Sequence, residues 1–469
     1  MNEPKSATSL APKEFYELAH DRTRRYLGSN PLKSVCVGIS ASSKVVSTFP
    51  GQVMALTLAN LTARSCSRAV FAFPDVELHP QLKRNVTSSL HSRVEAEVYG
   101  ANPFGSFVFG TDGCQNADYI IQIGKPDNRV GGFNIVIDGS GWASYIGRDP
   151  DWPASEHISL NPIGPAMAAC LAQAEAFKEF LGVQDHLRIK HRVLSLYDFS
   201  VGDGSVSIPS IPEPDRIELG NAQMIGVGSV GSAVLYLIDM LPAYGILDLI
   251  EPQKVEFVNL DRALIFMADD VGRPKVRVGG QWLAGRNLHV DEYTMPYADF
   301  VKTYGRNKAG RNLDMVLLLA NEDNIYADIQ NIYPPIVMYG TTTAGWGINL
   351  GRHIPLKEEC VLCRYPNSVT PVFKCATAEV VVSEIEERVD ASLPFLSAAA
   401  GVLTVAELIK AQLDVYPVQG NFAFLDLMGG FGFLEVSQRD KSENCICRHQ
   451  SLEVYRGLLG NSRWGSLSI

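Results

Sequence analysis

Ala222-Gln-Met-Ile-Gly226-Val-Gly228-Ser-Val-Gly231-Ser-Ala-Val234 passes from an apolar strand through a glycine turn into an apolar helix. Glycines suit that turn because the backbone must reverse tightly and let phosphate oxygens approach the helix N-terminus. The helix is expected to run to about Leu241, where Pro242 and Gly245 end it. Glu251 closes the next strand, at the place where an acidic side chain can hold ribose hydroxyls. Taken alone, this fingerprint predicts a doubly wound α/β domain that binds a nucleotide, with no preference among nucleotides.

The chain contains a second, weaker version of the same pattern. SVCVGISASSKVV (34–46) echoes the quoted stretch, AVFAFPDVEL (69–78) echoes ILDLIEPQKVE (246–256), and ADYIIQIGK (117–125) echoes LDMVLLLAN (313–321). FNIVIDGSGWASYIG (133–147) then matches PIVMYGTTTAGWGINLG (335–351), and NPIGPAMAACLAQAEAFKEFL (161–181) matches LPFLSAAAGVLTVAELIKAQL (393–413). The same order throughout predicts an α/β fold of two doubly wound Rossmann-like domains in tandem. Their expected extents are 1–199 and 216–469, joined by a Ser-, Gly- and Pro-rich linker at 200–215. Opposite Gly226, Gly228 and Gly231 the first copy carries Gly38, Ser40 and Ser43. The first half therefore reads as a scaffold and the second as the chemical half.

Beyond Glu251 come Asn259-Leu-Asp-Arg262, then Gly272-Arg-Pro-Lys275, then Asp323-Asn324 after the following strand. Two separate cations suit a triphosphate better than a dinucleotide pyrophosphate. A carboxylate at the C-terminal edge of the sheet suits Mg²⁺, which takes few acidic ligands beside phosphate oxygens. Singly, Arg262 and Lys275 would pass for solvated cations and Asp323 for a helix cap.

Nine cysteines are present, and five of them fall late in the chain. Cys360-Val-Leu-Cys363 has the spacing of a metal knuckle, and Cys445-Ile-Cys447 offers a second pair, with His449 as a substitute ligand. Four thiolates would make a closed tetrahedral zinc site. Cys375 follows Lys374 and precedes a stretch, 376–389, expected to be helical. A neighbouring cation and a helix N-terminus both favour the thiolate; the alternative is an unreactive structural thiol. Cys36, Cys66, Cys114 and Cys170 stand among apolar neighbours as buried free thiols.

Composition narrows the classes. Hydrophobic residues make up 46% and charged residues 20%, with a formal charge of −10. No Lys/Arg run offers a phosphate footprint, so no nucleic-acid partner is expected. The N-terminus lacks the apolar core of a signal peptide and no membrane segment is expected, which makes the expected location cytoplasmic.

The glycine loop, the acidic strand end, the Asn-Leu-x-Arg and Gly-x-x-Lys boxes and the Asp-Asn pair together resemble the ubiquitin-activating enzyme superfamily. That superfamily includes the adenylyltransferases of thiamine and molybdopterin synthesis. The resemblance is close over 222–447, and the duplication extends it to a single-chain pseudo-dimer like the activating enzymes of bacterial ubiquitin-like conjugation operons. It implies that Arg262 and Lys275 hold ATP phosphates, Asn259 helps position them, and Asp323 binds Mg²⁺. It implies that Cys375 accepts the activated acyl group as a thioester and that the two cysteine pairs share one zinc. The His20-Asp21-Arg22 segment is similar to the one through which an inactive half lends an arginine, here Arg22, to its partner's ATP; Arg24 and Arg25 are the fallback. The implied partners are a ubiquitin-like protein with a glycine-ended tail and a carrier (conjugating) enzyme. This chain departs from the family at Gln253, where a second acid is usual, and at Ala263, where Gln is usual. Competing expectations are adenylation for sulfur transfer, a silent scaffold that binds a ubiquitin-like protein, and an NAD oxidoreductase.

Overall fold

Strand alternation and glycine punctuation in both copies build two mixed sheets of eight strands each. The computed structural model describes residues 10–20, 23, 35–84, 87–110, 114–126, 132–148, 159–203, 213–305, 312–320, 325–355, 357–365, 392–413, 420–429, 434–450 and 453–454. In the first sheet the strands are β1 (Cys36–Ala41), β2 (Arg68–Ala72), β3 (Ser106–Gly110), β4 (Tyr119–Ile123), β5 (Ile135–Ser140), β6 (Ala143–Gly147), β7 (His191–Ser195) and β8 (Val201–Gly202). The second comprises β9 (Ile217–Ile225), β10 (Ala243–Ile250), β11 (Leu288–Tyr293), β12 (Met315–Leu318), β13 (Val337–Thr342), β14 (Gly347–His353), β15 (Phe422–Asp426) and β16 (Leu434–Ser437).

The orders are β3-β2-β1-β4-β5-β6-β7-β8 and β11-β10-β9-β12-β13-β14-β15-β16, the same topology repeated. In each sheet the strands through β5 or β13 run parallel and the later ones antiparallel. The chain reverses direction across the sheet between β9 and β12, and open α/β sheets bind ligands in the crevice that such a reversal leaves. The last strand of the first sheet, β8, lies at the start of the segment read as a linker.

Seven longer helices matter here: α1 (Pro12–Ala19), α2 (Phe49–Ser65), α3 (Leu90–Ala101), α4 (Ile163–Phe180), α5 (Ser229–Ile238), α6 (Lys275–Trp282) and α7 (Pro394–Gln412). Every residue of α2 is buried, and α7 is buried from Pro394 through Ala411. Helices apolar all round must be enclosed. Here α7 packs on α5 of its own half and on α4 and α2 of the other, and one hydrophobic core runs through both halves. Phe177 on α4 meets Trp346 and Phe395 across that boundary, each with ring centroids 5.8 Å apart. Although no membrane segment was expected, α7 has the length and mean hydropathy (1.4) of a membrane span; it is wholly buried in the protein.

The duplication reaches individual buried polar groups. Lys178 donates to Glu175 at 2.7 Å near the end of α4, and Lys410 pairs with Glu407 at the same i,i+3 spacing near the end of α7. Such pairs are costly to bury and costlier to break. Arg352 adds to the second, donating to Glu407 at 2.9 Å and Glu358 at 2.5 Å.

Candidate functional site

Gly226 follows β9 with φ +93°, and a Cβ there would lie 2.6 Å from the Ala320 amide nitrogen. At Gly231 a Cβ would collide with the Gly226 carbonyl oxygen. Both glycines are demanded by the protein's own packing. Gly228 is different, because a Cβ there would meet nothing within 4 Å. It is the N-cap of α5 and provides no side-chain cap, so the first-turn amides have open space before them. A phosphate group fits that cradle.

Glu251 lies under this loop. One carboxylate oxygen accepts the Val227 amide at 3.2 Å and the other accepts the Gln253 amide at 3.0 Å. The residue expected to hold ribose thus also braces the glycine turn, and each oxygen retains lone pairs. Lys275, 5% exposed, opens α6. Its Nζ donates to Gln253 Oε1 at 2.7 Å and stands 4.0 Å from Glu251 Oε1. Two short backbone links set it there: Val255 N to Arg273 O and Gly272 N to Val255 O, both 2.8 Å, with Gly272 at φ +90°. Gln253, noted in the sequence only as a departure, turns out to be the lysine's partner.

Asn259 and Arg262 sit on the next turn. Asn259 Oδ1 accepts the Glu256 amide at 2.9 Å, capping the short helix Phe257–Asn259. Arg262 donates to Val258 O and to Asp261 Oδ1, the latter at 2.9 Å. The structure therefore brings together the glycine loop, Glu251, Gln253 and Lys275, and ties Arg262 within its own turn. Arg22, Asp323, Cys375 and the 376–389 stretch lie outside the described residues. Helix α1, which ends just before His20 and Arg22, packs against Phe257–Asn259, with Phe15 and Phe257 centroids 6.3 Å apart.

Sheet register corrects the internal alignment. Cys36 N donates to Asp118 at 2.7 Å as Asn221 N donates to Asp314 at 2.8 Å. Val37 pairs with Ala69 and Tyr119 as Ala222 pairs with Leu247 and Met315. Counting on, Gly226, Gly228 and Gly231 correspond to Ala41, Ser43 and Val46, and not to the Gly38, Ser40 and Ser43 that the sequence alone suggests. Phe73 stands where Glu251 does, each followed by proline. The first copy thus lacks all three glycines and the acid. Gln52 seals its loop, donating to Val46 O at 3.0 Å and Glu77 O at 2.9 Å.

The four late cysteines converge. Their sulfurs all lie within 4.8 Å of one another, with Cys360–Cys363 at 3.9 Å and Cys360–Cys445 and Cys363–Cys447 each at 3.4 Å. Zinc–sulfur bonds of about 2.3 Å in a tetrahedron separate the sulfurs by about 3.8 Å. A disulfide would need about 2.05 Å. The donor set fits zinc, and the Ser442 amide donates to Cys363 Sγ at 3.3 Å. His449 instead approaches the Glu443 carbonyl at 3.2 Å. His353, which no sequence pattern marks, is buried at the end of β14, and burial pushes its pKa down to about 4. Its Nδ1 bridges the carbonyls of Glu358 and Glu359 at 3.2 and 3.0 Å, holding the chain that leads into the knuckle.

Residues 203–447 match the ThiF family, and residues 36–196 match the BilD N-terminal domain. The sulfur carrier protein ThiS adenylyltransferase of Escherichia coli (strain K12) is 29% identical over 164 residues, 34% of this chain and 63% of that protein. The uncharacterized protein y4jF of Sinorhizobium fredii is 25% identical over 185 residues, 39% of this chain and 34% of its own length. The chain therefore spans less than two thirds of either curated relative. Among solved structures, E. coli MccB with MccA-N7isoASN aligns at TM-score 0.38 and 17% identity, covering 49% of this chain and 67% of that one. With the family pattern running over more than half of its length, from before the glycine loop to the last zinc-type cysteine, this chain belongs to the ThiF family, within the ThiF/MoeB-like adenylyltransferases.

Proposed function

We propose that this chain uses ATP to adenylate the C-terminal carboxylate of a small ubiquitin-like protein with a glycine-ended tail. The observation that carries the reading is the cluster of Gly226–Gly228, Glu251 and Lys275, which keeps open space at Gly228 where the first half is sealed. A relative named as adenylyltransferase of a sulfur carrier protein supports the substrate class.

A carboxylate is a poor electrophile because oxide would have to leave. Its oxygen attacks the α-phosphorus of ATP, pyrophosphate departs, and the acyl group gains AMP as leaving group. Lys275 and Arg262 would offset the phosphate charge, with Asn259 setting the Arg262 turn and Arg22 added from the α1 side. Asp323 would hold Mg²⁺, which supplies further charge neutralisation when bound. The Cys375 thiolate would then attack the acyl carbon, release AMP and form a thioester, which a carrier enzyme's thiol collects by exchange. The 1–199 and 216–469 halves would act as one monomeric pseudo-dimer around the 200–215 linker. Reduced, zinc-type cysteines suit a reducing, cytoplasmic setting.

A second reading, adenylation for sulfur transfer, is favoured by the likeness to the ThiS adenylyltransferase. One assay separates them. Pyrophosphate exchange into ATP should depend on the ubiquitin-like protein, and Lys275→Ala should lower it by roughly a hundredfold. Cys375→Ala should keep exchange yet lose a thiol-sensitive adduct on non-reducing gels. Wild-type exchange in Lys275→Ala would sink the site. A wild type that exchanges but never forms the adduct would favour sulfur transfer.

A further inference from the structure

Arg64 belongs to the first half, yet its side chain works inside the second. It stands in the last turn of α2 at 1% exposure. Nη1 donates to Leu260 O at 2.6 Å and Phe266 O at 3.1 Å, and Nη2 donates to Leu264 O at 2.7 Å. Nε donates to Asn60 Oδ1 at 2.7 Å, and Asn60 Nδ2 in turn donates to Leu264 O at 3.1 Å and Glu97 Oε2 at 2.9 Å. Three carbonyls from one short loop reach a single planar cation only when the loop is curled in this one shape.

The loop is 260–266, and it carries Asp261 and Arg262. Its Leu264 amide donates to Ser232 Oγ at 3.0 Å, tying it to α5 just past the glycine turn. A buried guanidinium without a directly bonded carboxylate is costly unless its donors are filled and anions stand nearby. Here the donors meet carbonyls, and Glu97 and Asp261 supply the field. Asp261 is itself buried and holds Arg262.

We propose that Arg64 is a positioning residue for the other half's nucleotide site. It fixes the 260–266 loop and, through Asp261, the setting of Arg262. The link to ATP rests on the adenylation reading; the link to the loop does not. This gives the silent half a task in chemistry it has itself lost.

Arg64→Lys keeps the charge but loses the planar fork, and Asn60→Ala is a milder version. Arg84→Lys is the control. Arg84 also joins the halves, 3.7 Å above the Trp282 ring and 3.4 Å from Asp239, but among the described residues its ion pair is to Asp239 and it donates to none of the loop carbonyls that Arg64 holds. Equilibrium dialysis with labelled ATP should show binding weakened about tenfold in Arg64→Lys and about threefold in Asn60→Ala, by loss of charge-assisted bonds. Arg84→Lys should lower Tm yet bind ATP within about twofold of wild type. In exchange kinetics the Arg64→Lys effect should fall on KM for ATP more than on kcat. Hydrogen exchange at the 263–266 amides should quicken in Arg64→Lys and Asn60→Ala, and not in Arg84→Lys. If wild type binds no ATP, the adenylation reading fails and this exchange measurement alone judges the loop. Wild-type ATP affinity in both loop variants, or unchanged amide exchange in both, overturns the proposal; if Arg64→Lys does not fold, Asn60→Ala decides it.

Discussion

Asp138 shows how the two halves differ at a matched position. It lies on β5 at the register position of Thr341 on β13, so a carboxyl stands where the chemical half has a hydroxyl. Burial pushes its pKa from 3.8 up to about 7, against the Gly139 amide, which donates at 2.8 Å and favours the anion. The folded state therefore keeps the proton to higher pH than the unfolded chain does. Where the native state binds more protons, stability falls as pH rises, so the penalty grows from 3.8 upward and is complete above about 7. Asp138→Asn removes the ionisation at nearly constant shape. Its Tm should exceed that of wild type by a margin that widens between about pH 4 and 7 and then levels. A margin flat across that range would show that the folded carboxyl ionises normally.

At the scale of elements, the zinc-type cluster joins two one-turn helices, Val361–Arg364 and Ile446–His449, from distant parts of the chain. Each begins at a cysteine N-cap, Cys360 and Cys445, so the sulfurs are held at the mouths of the turns. Metal analysis should return about one zinc per chain. Cys363→Ser should lower both zinc content and Tm, and chelation of wild type should reproduce the Tm loss. A zinc-free wild type with unaltered Tm would refute the site. These cysteines were legible in the sequence because metal ligands come in short, repeated spacings. That the glycine loop, Glu251 and Lys275 come together was legible for a similar reason, since residue types at fixed offsets along a strand–turn–helix unit fall at one sheet edge. His353, Arg64 and Asn60 were not, because a lone polar residue on an apolar element has no periodic signature and its partners come from distant chain. The register error at Gly38 has another cause: β1 and β9 are both apolar, and a string match cannot see which residue faces Asp118 or Asp314.

The whole molecule is two copies of one topology with a shared core and unequal chemistry. In the first copy Gln52, Val45 and Phe73 occupy the crevice and add packing, so its loop has no need of the glycines. A Cβ added at Gly124 would lie 2.6 Å from Val45 Cγ2, so that side chain occupies the place beside the first sheet's switch point. The second copy cannot close in this way without losing the space before Gly228. Equilibrium dialysis with ATP should therefore give one nucleotide per chain. Lys275→Ala should reduce that occupancy, whereas Ser43→Gly, made in the first half's loop, should add no second site because Phe73 and Val46 still fill it. Two nucleotides per wild-type chain would mean that the first crevice opens in solution, and the division of labour between the halves would have to be abandoned.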